Sequence, residues 1–477
     1  MTRGSRKQKS GRRPLAIDLF SGAGGLSLGA EQAGFDVLAA VEYDPIHAAA
    51  HAFNFPRTEV VCASAAEVSG DQMRDAIRAG WKRHGRRGKW SGELDAVFGG
   101  PPCQGFSVGG VGAASDMRNE MVFEFARLVG ELQPRYFVME NVPGLQGSPD
   151  PEFEGKVLLD RLIFSLEFVG YSVAKPVVLN AAMFGVPQDR RRLFLVGALD
   201  GNDLPVVPAP TVRPVPKRRS DRVRTGYFGH PDADPKLPKG PTVDEAIADL
   251  PDADQFDELW KADKCALPND LAKAAAARAS TYAKRLRGLE RDPEDRSHPR
   301  TWDAAQLTAS MRTGHHLQPR QRMHETEPGD FEPKSRLYRL DGEGLCGTLR
   351  AGSGYDRGSY TAPRPIHPHH PRVVTVREAA RLHSFPDWFR FHPTKWHGFR
   401  QVGNALPPLM GRAIAAAVVR ALSLTPRRPQ VAWRLGDESL LSAEMLAAAD
   451  HFGADPKAIP GNHLRGRSAP ASVKSAA

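Results

Sequence analysis

The chain has 477 residues, with 65 Lys and Arg against 55 Asp and Glu, a formal charge of +10. That length accommodates two or three compact units, and the cation excess favours a polyanionic partner, because clustered Lys and Arg release counterions from phosphates. The four cysteines, Cys62, Cys103, Cys265 and Cys346, stand far apart with no C-x-x-C pair, which excludes a zinc or redox motif of that kind and fits a reducing compartment.

Residues 1–13 are basic and polar and read as a disordered arm. The apolar run that follows, Leu15–Phe20, is far short of a signal or membrane segment, so a cytoplasmic protein without a membrane partner is expected. From residue 14 to about 200, short apolar runs alternate with amphipathic stretches: Leu15–Phe20, Val37–Tyr43, Glu59–Cys62, Leu94–Phe98, Tyr136–Glu140 and Leu193–Gly197. Continuous hydrophobicity suits strands buried on both faces, which predicts an α/β fold with a mostly parallel, doubly wound, Rossmann-like sheet. Ligands of such sheets bind beyond the carboxyl ends of the strands, so residues 14–200 read as a catalytic, cofactor-binding domain.

Residues 201–371 change texture to Pro-rich, charged segments, with an Ala-rich helical stretch near Leu271–Leu286. A separate, irregular domain is expected there. Periodicity returns over 372–424: Thr375 and Glu378 are spaced as a capping box before a helix ending at Phe385-Pro386, and a further helix runs from Pro407 or Pro408 to about Leu422. Residues 425–477 read as a tail, disordered from Gly461 onward.

The first strand opens into Asp18-Leu19-Phe20-Ser21-Gly22-Ala23-Gly24-Gly25-Leu26, a glycine-rich turn where backbone approaches a ligand closely. The second ends at Glu42, the place of an acidic ribose ligand. A dinucleotide-dependent dehydrogenase is the rival at this point, but Gly22-x-Gly24-Gly25 lacks the third glycine of G-x-G-x-x-G. The fourth strand runs into Gly100-Pro101-Pro102-Cys103-Gln104, where two prolines stiffen the approach and later glycines free the loop to act as a lid. Cys103 at that hinge reads as a nucleophile rather than a small buried thiol. Glu140 follows an apolar run at the same edge, where desolvation would favour a proton donor. Arginines of Gln188-Asp189-Arg190-Arg191-Arg192 alternate in direction, so one or two would face the site.

Pro102-Cys103-Gln104, Glu140-Asn141-Val142 and Gln188-x-Arg190-x-Arg192, in this order, resemble the DNA cytosine-5 methyltransferase family of bacterial restriction-modification type. Arg377-Glu378-Ala379-Ala380-Arg381-Leu382 and Gln401-Val402-Gly403-Asn404-Ala405-Leu406-Pro407-Pro408 are similar to that family's last two blocks. The resemblance implies S-adenosylmethionine as cofactor, double-stranded DNA as substrate, a restriction endonuclease as functional partner, and a monomer. It places Phe20 on the adenine, Ser21, Gly22, Gly24 and Gly25 around the methionine moiety, Glu42 on the ribose, and Asn404 as the closing residue. Asp18, Leu26, Pro102 and Met121 join that set. Cys103 would add to C6 of a flipped cytosine, Glu140 would serve N3, and Arg192, with Arg190 close by, would bind O2. Where the family has an Asp after the third strand, this chain reads Cys62-Ala63-Ser64.

Residues 201–371 occupy the place of the family's target-recognition domain, with Arg213, Lys217, Arg218, Arg219, Arg312, Arg320 and Arg322 as candidates for phosphate contacts. His367-Pro368-His369-His370 reads as a loop rather than a metal site, and no metal is expected. Two further readings stay open: a tRNA-methylating relative, against which the long middle region argues, and an inactive DNA-binding relative, against which Cys103, Glu140 and Arg192 together argue.

Overall fold

The computed structural model describes residues 9–102, 120–150, 152–153, 155–217, 234–352 and 364–455. Cys103, Arg218, Arg219 and the stretch from Gly461 onward lie outside them.

The apolar runs form an eight-stranded sheet. Five strands, β1 (Leu15–Leu19), β2 (Asp36–Glu42), β3 (Glu59–Cys62), β4 (Ala96–Gly99) and β5 (Tyr136–Asn141), are parallel. Two short strands absent from the sequence reading, β6 (Tyr171–Val173) and β7 (Val177–Asn180), pair antiparallel with β8 (Arg191–Leu199), which itself runs antiparallel to β5. The order β3-β2-β1-β4-β5-β8-β6 reverses direction between β1 and β4, so the carboxyl ends of those two strands flank the switch point where ligands bind.

Side chains alternate between two apolar layers. Ile17, Leu38, Val97 and Phe137 point to the layer covered by α3 (Gly70–Arg83), α4 (Met121–Leu132) and α5 (Leu158–Phe168), whereas Ala16, Val37, Phe98 and Val138 point to the other. That second layer is covered by α1 (Gly25–Ala33) and by a helix from the far end of the chain, Pro408–Ala421, through Met410, Ile414 and Val418. Each such burial contributes about 1.5–3 kcal/mol, against about 0–1 kcal/mol for an exposed ion pair, so apolar packing holds the returning helix. The two helices touch backbone to backbone: a Cβ on Gly29 would lie 2.7 Å from Gly411 and from the Arg412 nitrogen.

Thr375 and Glu378 form the expected capping box, here on a shorter helix, Val376–Leu382. A helix not anticipated, Lys395–Asn404, leads into Pro407. The Ala-rich stretch is two helices, Asn269–Arg278 and Thr281–Leu286, because Ser280 caps the second with its side chain.

Three expectations need correction. The arm read over residues 1–13 is ordered from Lys9: Lys9–Gly11 pairs in parallel with Leu424–Pro426, Arg12 grips Asp95 at 2.6 and 2.7 Å, and buried Arg13 bonds Asp36 at 2.6 Å. Basic composition concealed this because the arginines meet buried carboxylates distant in sequence. The tail read from 425 contributes Trp433–Arg434, paired with Arg300–Thr301, and a helix, Met445–Phe452. Finally, the described part of 201–371 has a small apolar cluster of its own, around Phe256, Leu259 and Leu307, but is also packed into the rest of the molecule. Val243, Ile247, Leu340 and Leu349 share one core with Leu28, Phe53 and Phe55 of the first domain and Phe385, Phe389 and Val402 of the return segment. Ion pairs reinforce the joint: Arg381 meets Asp249 and Arg372 meets Asp252, each at 3.0 Å.

Candidate active site

At the end of β1 the chain turns sharply, with Phe20 at φ 58°, Gly22 at 56° and Gly24 at 105°. Backbone N–H groups hold the turn: Ser21 donates to Val41 O at 2.9 Å, and Gly22 donates to Glu42 Oε2 at 2.7 Å. Glu42 Oε1 accepts from the Asp44 N–H at 2.9 Å, so both carboxylate oxygens are fixed while each keeps a lone pair for a ligand. Burial pushes the Glu42 carboxyl above its ordinary range. Gly24 can be nothing larger, since a Cβ there would sit 2.3 Å from the Phe55 ring.

Two buried oxygens in this turn, Ser21 Oγ and Asp18 Oδ1, lack hydrogen-bond partners among the described residues. Buried polar atoms are rarely left so, and here they mark a cradle for a polar ligand. Phe20 is half-buried and packs, like Val61 and Ala63, against the α3–α5 core. Leu26 is buried, and half-buried Met121 opens α4. At the third strand's end, the Ala63 N–H donates to Glu42 O at 3.1 Å and Ser64 Oγ accepts from Ala66 N–H at 3.4 Å. Asn404 ends its helix exposed, and the following residues press on the turn: a Cβ on Gly25 would lie 2.9 Å from Ala405 Cβ and 2.4 Å from Leu406 O.

The other half of the edge is built from β4, β5 and β8. The β4 exit runs beside Glu140, for a Cβ on Gly100 would meet Glu140 Oε2 at 2.9 Å. Asn141 Nδ2 donates to Pro101 O at 3.3 Å, pinning the approach to half-buried Pro102. In the β5–β8 register Glu140 faces Phe194, which puts Arg192 diagonally across on the same face. Arg192 Nε reaches Glu140 Oε1 at 2.7 Å, with the two side chains 13% and 16% exposed. The carboxyl expected to stand desolvated is therefore half of an ion pair.

Arg190 corrects the sequence reading. It is 1% exposed, and its guanidinium donates to Leu349 O at 2.9 Å, Gly403 O at 2.8 Å and Ala405 O at 3.0 Å. Arg190 precedes the strand, which begins at Arg191, and its side chain turns to these carbonyls, so it fixes the backbone around Asn404 instead of pairing with Glu140 as Arg192 does. Gln188 does similar work, donating to Leu382 O at 3.2 Å and bonding His383 Nδ1 at 2.9 Å, while its Oε1 accepts from the Leu349 N–H at 3.3 Å. Sequence gave no signal for His383, whose partners lie across the fold.

Residues 15–420 match the family described as C-5 cytosine-specific DNA methylase. The chain belongs to that family. It is 47% identical over 448 residues, 94% of each chain, to the Type II methyltransferase M.XorII of Xanthomonas oryzae pv. oryzae. M.AgeI of Thalassovita gelatinovora, also named a Type II methyltransferase, is 31% identical over 85% of this chain and 99% of its own. Among solved structures, a protein named as a prophage-encoded DNA modification methyltransferase (E. coli) superposes with a TM-score of 0.62 at 32% identity, covering 86% of this chain and 99% of that one. As a C5 DNA methylase, the molecule thus carries its family's sheet with the Glu140–Arg192 pair at the carboxyl edge.

The methylase's middle region bears less free charge than its composition promised. Arg312 meets Asp254 and Asp257, each at 3.3 Å, Arg320 meets Asp254 at 2.9 Å, and Arg322 meets Glu332 at 2.6 Å. Each of these three is paired internally with at least one carboxylate. His369 bonds Asp244 at 2.7 Å, and His370 and His367 lie 3.4 and 3.6 Å from Asp252 and Glu378.

Proposed function

We propose that this methylase transfers a methyl group from S-adenosylmethionine to C5 of a cytosine within a specific duplex sequence. What carries the reading is the Glu140–Arg192 ion pair beside the Gly100–Pro102 exit of β4, one residue before Cys103. The cofactor supplies a methyl group activated on a sulfonium. Unpartnered Ser21 Oγ and Asp18 Oδ1, the open lone pairs of Glu42 and the tight backbone at Gly22–Gly25 fit such a ligand, with Phe20, Leu26, Pro102, Met121 and Asn404 completing its surroundings.

C5 of cytosine is a weak nucleophile. The Cys103 thiolate adds to C6, converting the ring to an enamine whose C5 can take the methyl group. Glu140 holds or delivers a proton at N3, and Arg192 serves O2 while orienting Glu140 through the ion pair. Loss of the C5 proton and departure of the thiol then restore the ring. The target base must leave the stack to reach these groups. Arg190 acts as a positioning residue for the Asn404 segment. Residues 201–371 serve as the target-recognition region, the methylase works as a cytoplasmic, DNA-associated monomer, and its Type II relatives support a restriction endonuclease as functional partner.

Labelled cofactor, a cytosine-rich duplex and tRNA in parallel test the proposal. Methylation of the duplex at C5 is expected, and transfer to tRNA alone would overturn it. On 5-fluorocytosine DNA the wild type should form a lasting adduct, because fluorine cannot leave; an adduct formed by Cys103→Ala would remove Cys103 from its role.

A further inference from the structure

Beneath the β1 turn lies a buried chain of polar groups that base chemistry does not use. The Ser27 hydroxyl oxygen of α1 lies 2.5 Å from Asp18 Oδ2 and 3.0 Å from Nε2 of His51, on the helix Pro45–Asn54. Asp18 is 1% exposed and Ser27 and His51 are fully buried; Asp18 Oδ1 and His51 Nδ1 have no hydrogen-bond partner among the described residues. The His51 ring also forms the floor of the turn, since a Cβ on Gly24 would meet its Cδ2 at 3.1 Å.

We propose that Asp18, Ser27 and His51 act as a proton-holding chain, so that binding the cationic methyl donor expels a proton from Asp18 to solvent, whereas binding the demethylated thioether product does not. The inference rests on S-adenosylmethionine being the cofactor. A buried carboxylate without a cation is costly, so the empty site keeps a proton on Asp18. Among the described residues no Lys or Arg pairs with Asp18; the charged group facing it from β2 is Glu42, itself flanked by Asp44 and His47, and from the second helix it is His51 alone. Burial, opposed by the Ser27 hydrogen bonds and aided by Glu42, pushes Asp18 up to about 7, while burial pushes His51 down to about 3 and keeps its ring neutral. A sulfonium arriving at the turn supplies the missing positive charge, and the ionised form becomes the stable one. Ser27 can follow the change by rotating. With Asp18 protonated, the carboxyl donates to Ser27 Oγ and Ser27 donates to His51 Nε2; with Asp18 ionised, Nε2–H donates to Ser27 and Ser27 donates to Asp18. His51 exchanges tautomer without net gain of a proton, and the Asp18 proton goes to water.

Titration calorimetry on the wild-type enzyme at pH 7, in phosphate and in Tris, reads the proton count directly. S-adenosylmethionine should release about half a proton more than S-adenosylhomocysteine. The amino group common to both ligands cancels in that difference. Between pH 6 and 8 the affinity ratio of the two ligands should move about tenfold towards the methyl donor. Ser27→Ala, which removes a bond to the ionised form, should shift that change to higher pH, and Asp18→Asn should abolish it. Nitrogen-15 spectra should show His51 changing tautomer with the methyl donor only. Equal proton counts for the two ligands on the wild type would overturn the inference, whereas failure of both ligands to bind would overturn the cofactor reading beneath it.

Discussion

On the cofactor side of the sheet's edge, Gly22 and Asp44 reach Glu42 through backbone N–H groups 20 and 2 residues away, so the turn is assembled from neighbouring sequence. Where the return segment meets β8, Arg190 gathers carbonyls 159, 213 and 215 residues distant, and Gln188 spans 194 residues to Leu382. One half is a local design resting on glycine conformations. The other exists only when the whole chain has closed, and its two arginines, Arg190 before the strand and Arg192 within it, divide the labour between assembly and chemistry.

The sharpest way to break this division is to remove the groups assigned to chemistry. Arg192→Ala and Glu140→Gln should lower kcat by about 10²–10⁴ while the folded enzyme still binds cofactor. A variant retaining full turnover would place chemistry elsewhere. Arg190→Ala should do the reverse, costing about 3–5 kcal/mol in urea unfolding because three carbonyls lose a buried cationic donor, and Arg190→Lys should recover only part; unchanged stability would contradict the assembly role.

The return segment gives a smaller, pH-dependent effect. Burial alone would raise the Glu378 carboxyl from its ordinary 4.5, but Arg372, His367 and the Thr375 N–H hold it at about 2. A depressed carboxylate stabilises the fold above pH 4.5, and that stability, about 3 kcal/mol, drains as pH falls towards 2. Unfolding measured over that window should show the loss in wild type and not in Glu378→Gln. Smallest of all is Arg320→Ala. With its charge already met by Asp254, the slope of DNA affinity against salt should stay within about 0.9 of wild type, the value of one phosphate contact.

Strands were legible where burial on both faces made the sequence uniformly apolar, as in Leu15–Leu19 and Asp36–Glu42. β6 and β7 were not, because three- and four-residue edge segments such as Tyr-Ser-Val carry too little pattern. Thr375 and Glu378 announced their helix through a local hydrogen-bond pair, whereas Lys395–Asn404, with mixed polarity and two glycines, did not. In the site, Glu140 and Arg192 could be named from motif order, but their ion pair needed the β5–β8 register. Arg190 was misjudged for the same reason that Arg312 and Arg320 were: charge is visible in sequence and its partner is not. Asp18 was legible as part of the turn, while Ser27 and His51 looked like ordinary helix residues.

The helix Pro408–Ala421 covers a sheet face whose strands are made hundreds of residues earlier. At about 5–20 residues per second, the ribosome needs roughly 20–80 seconds to travel from α1 to the end of that helix. During that interval Ala16, Phe98 and Val138 lack their final cover, and the Asn404 segment has not reached the turn. A chain that ends before Pro408 is therefore expected to lack methyl transfer however complete its first domain looks, which an assay of such a truncation would check. The arrival of the helix Pro408–Ala421 would then time the onset of activity during synthesis.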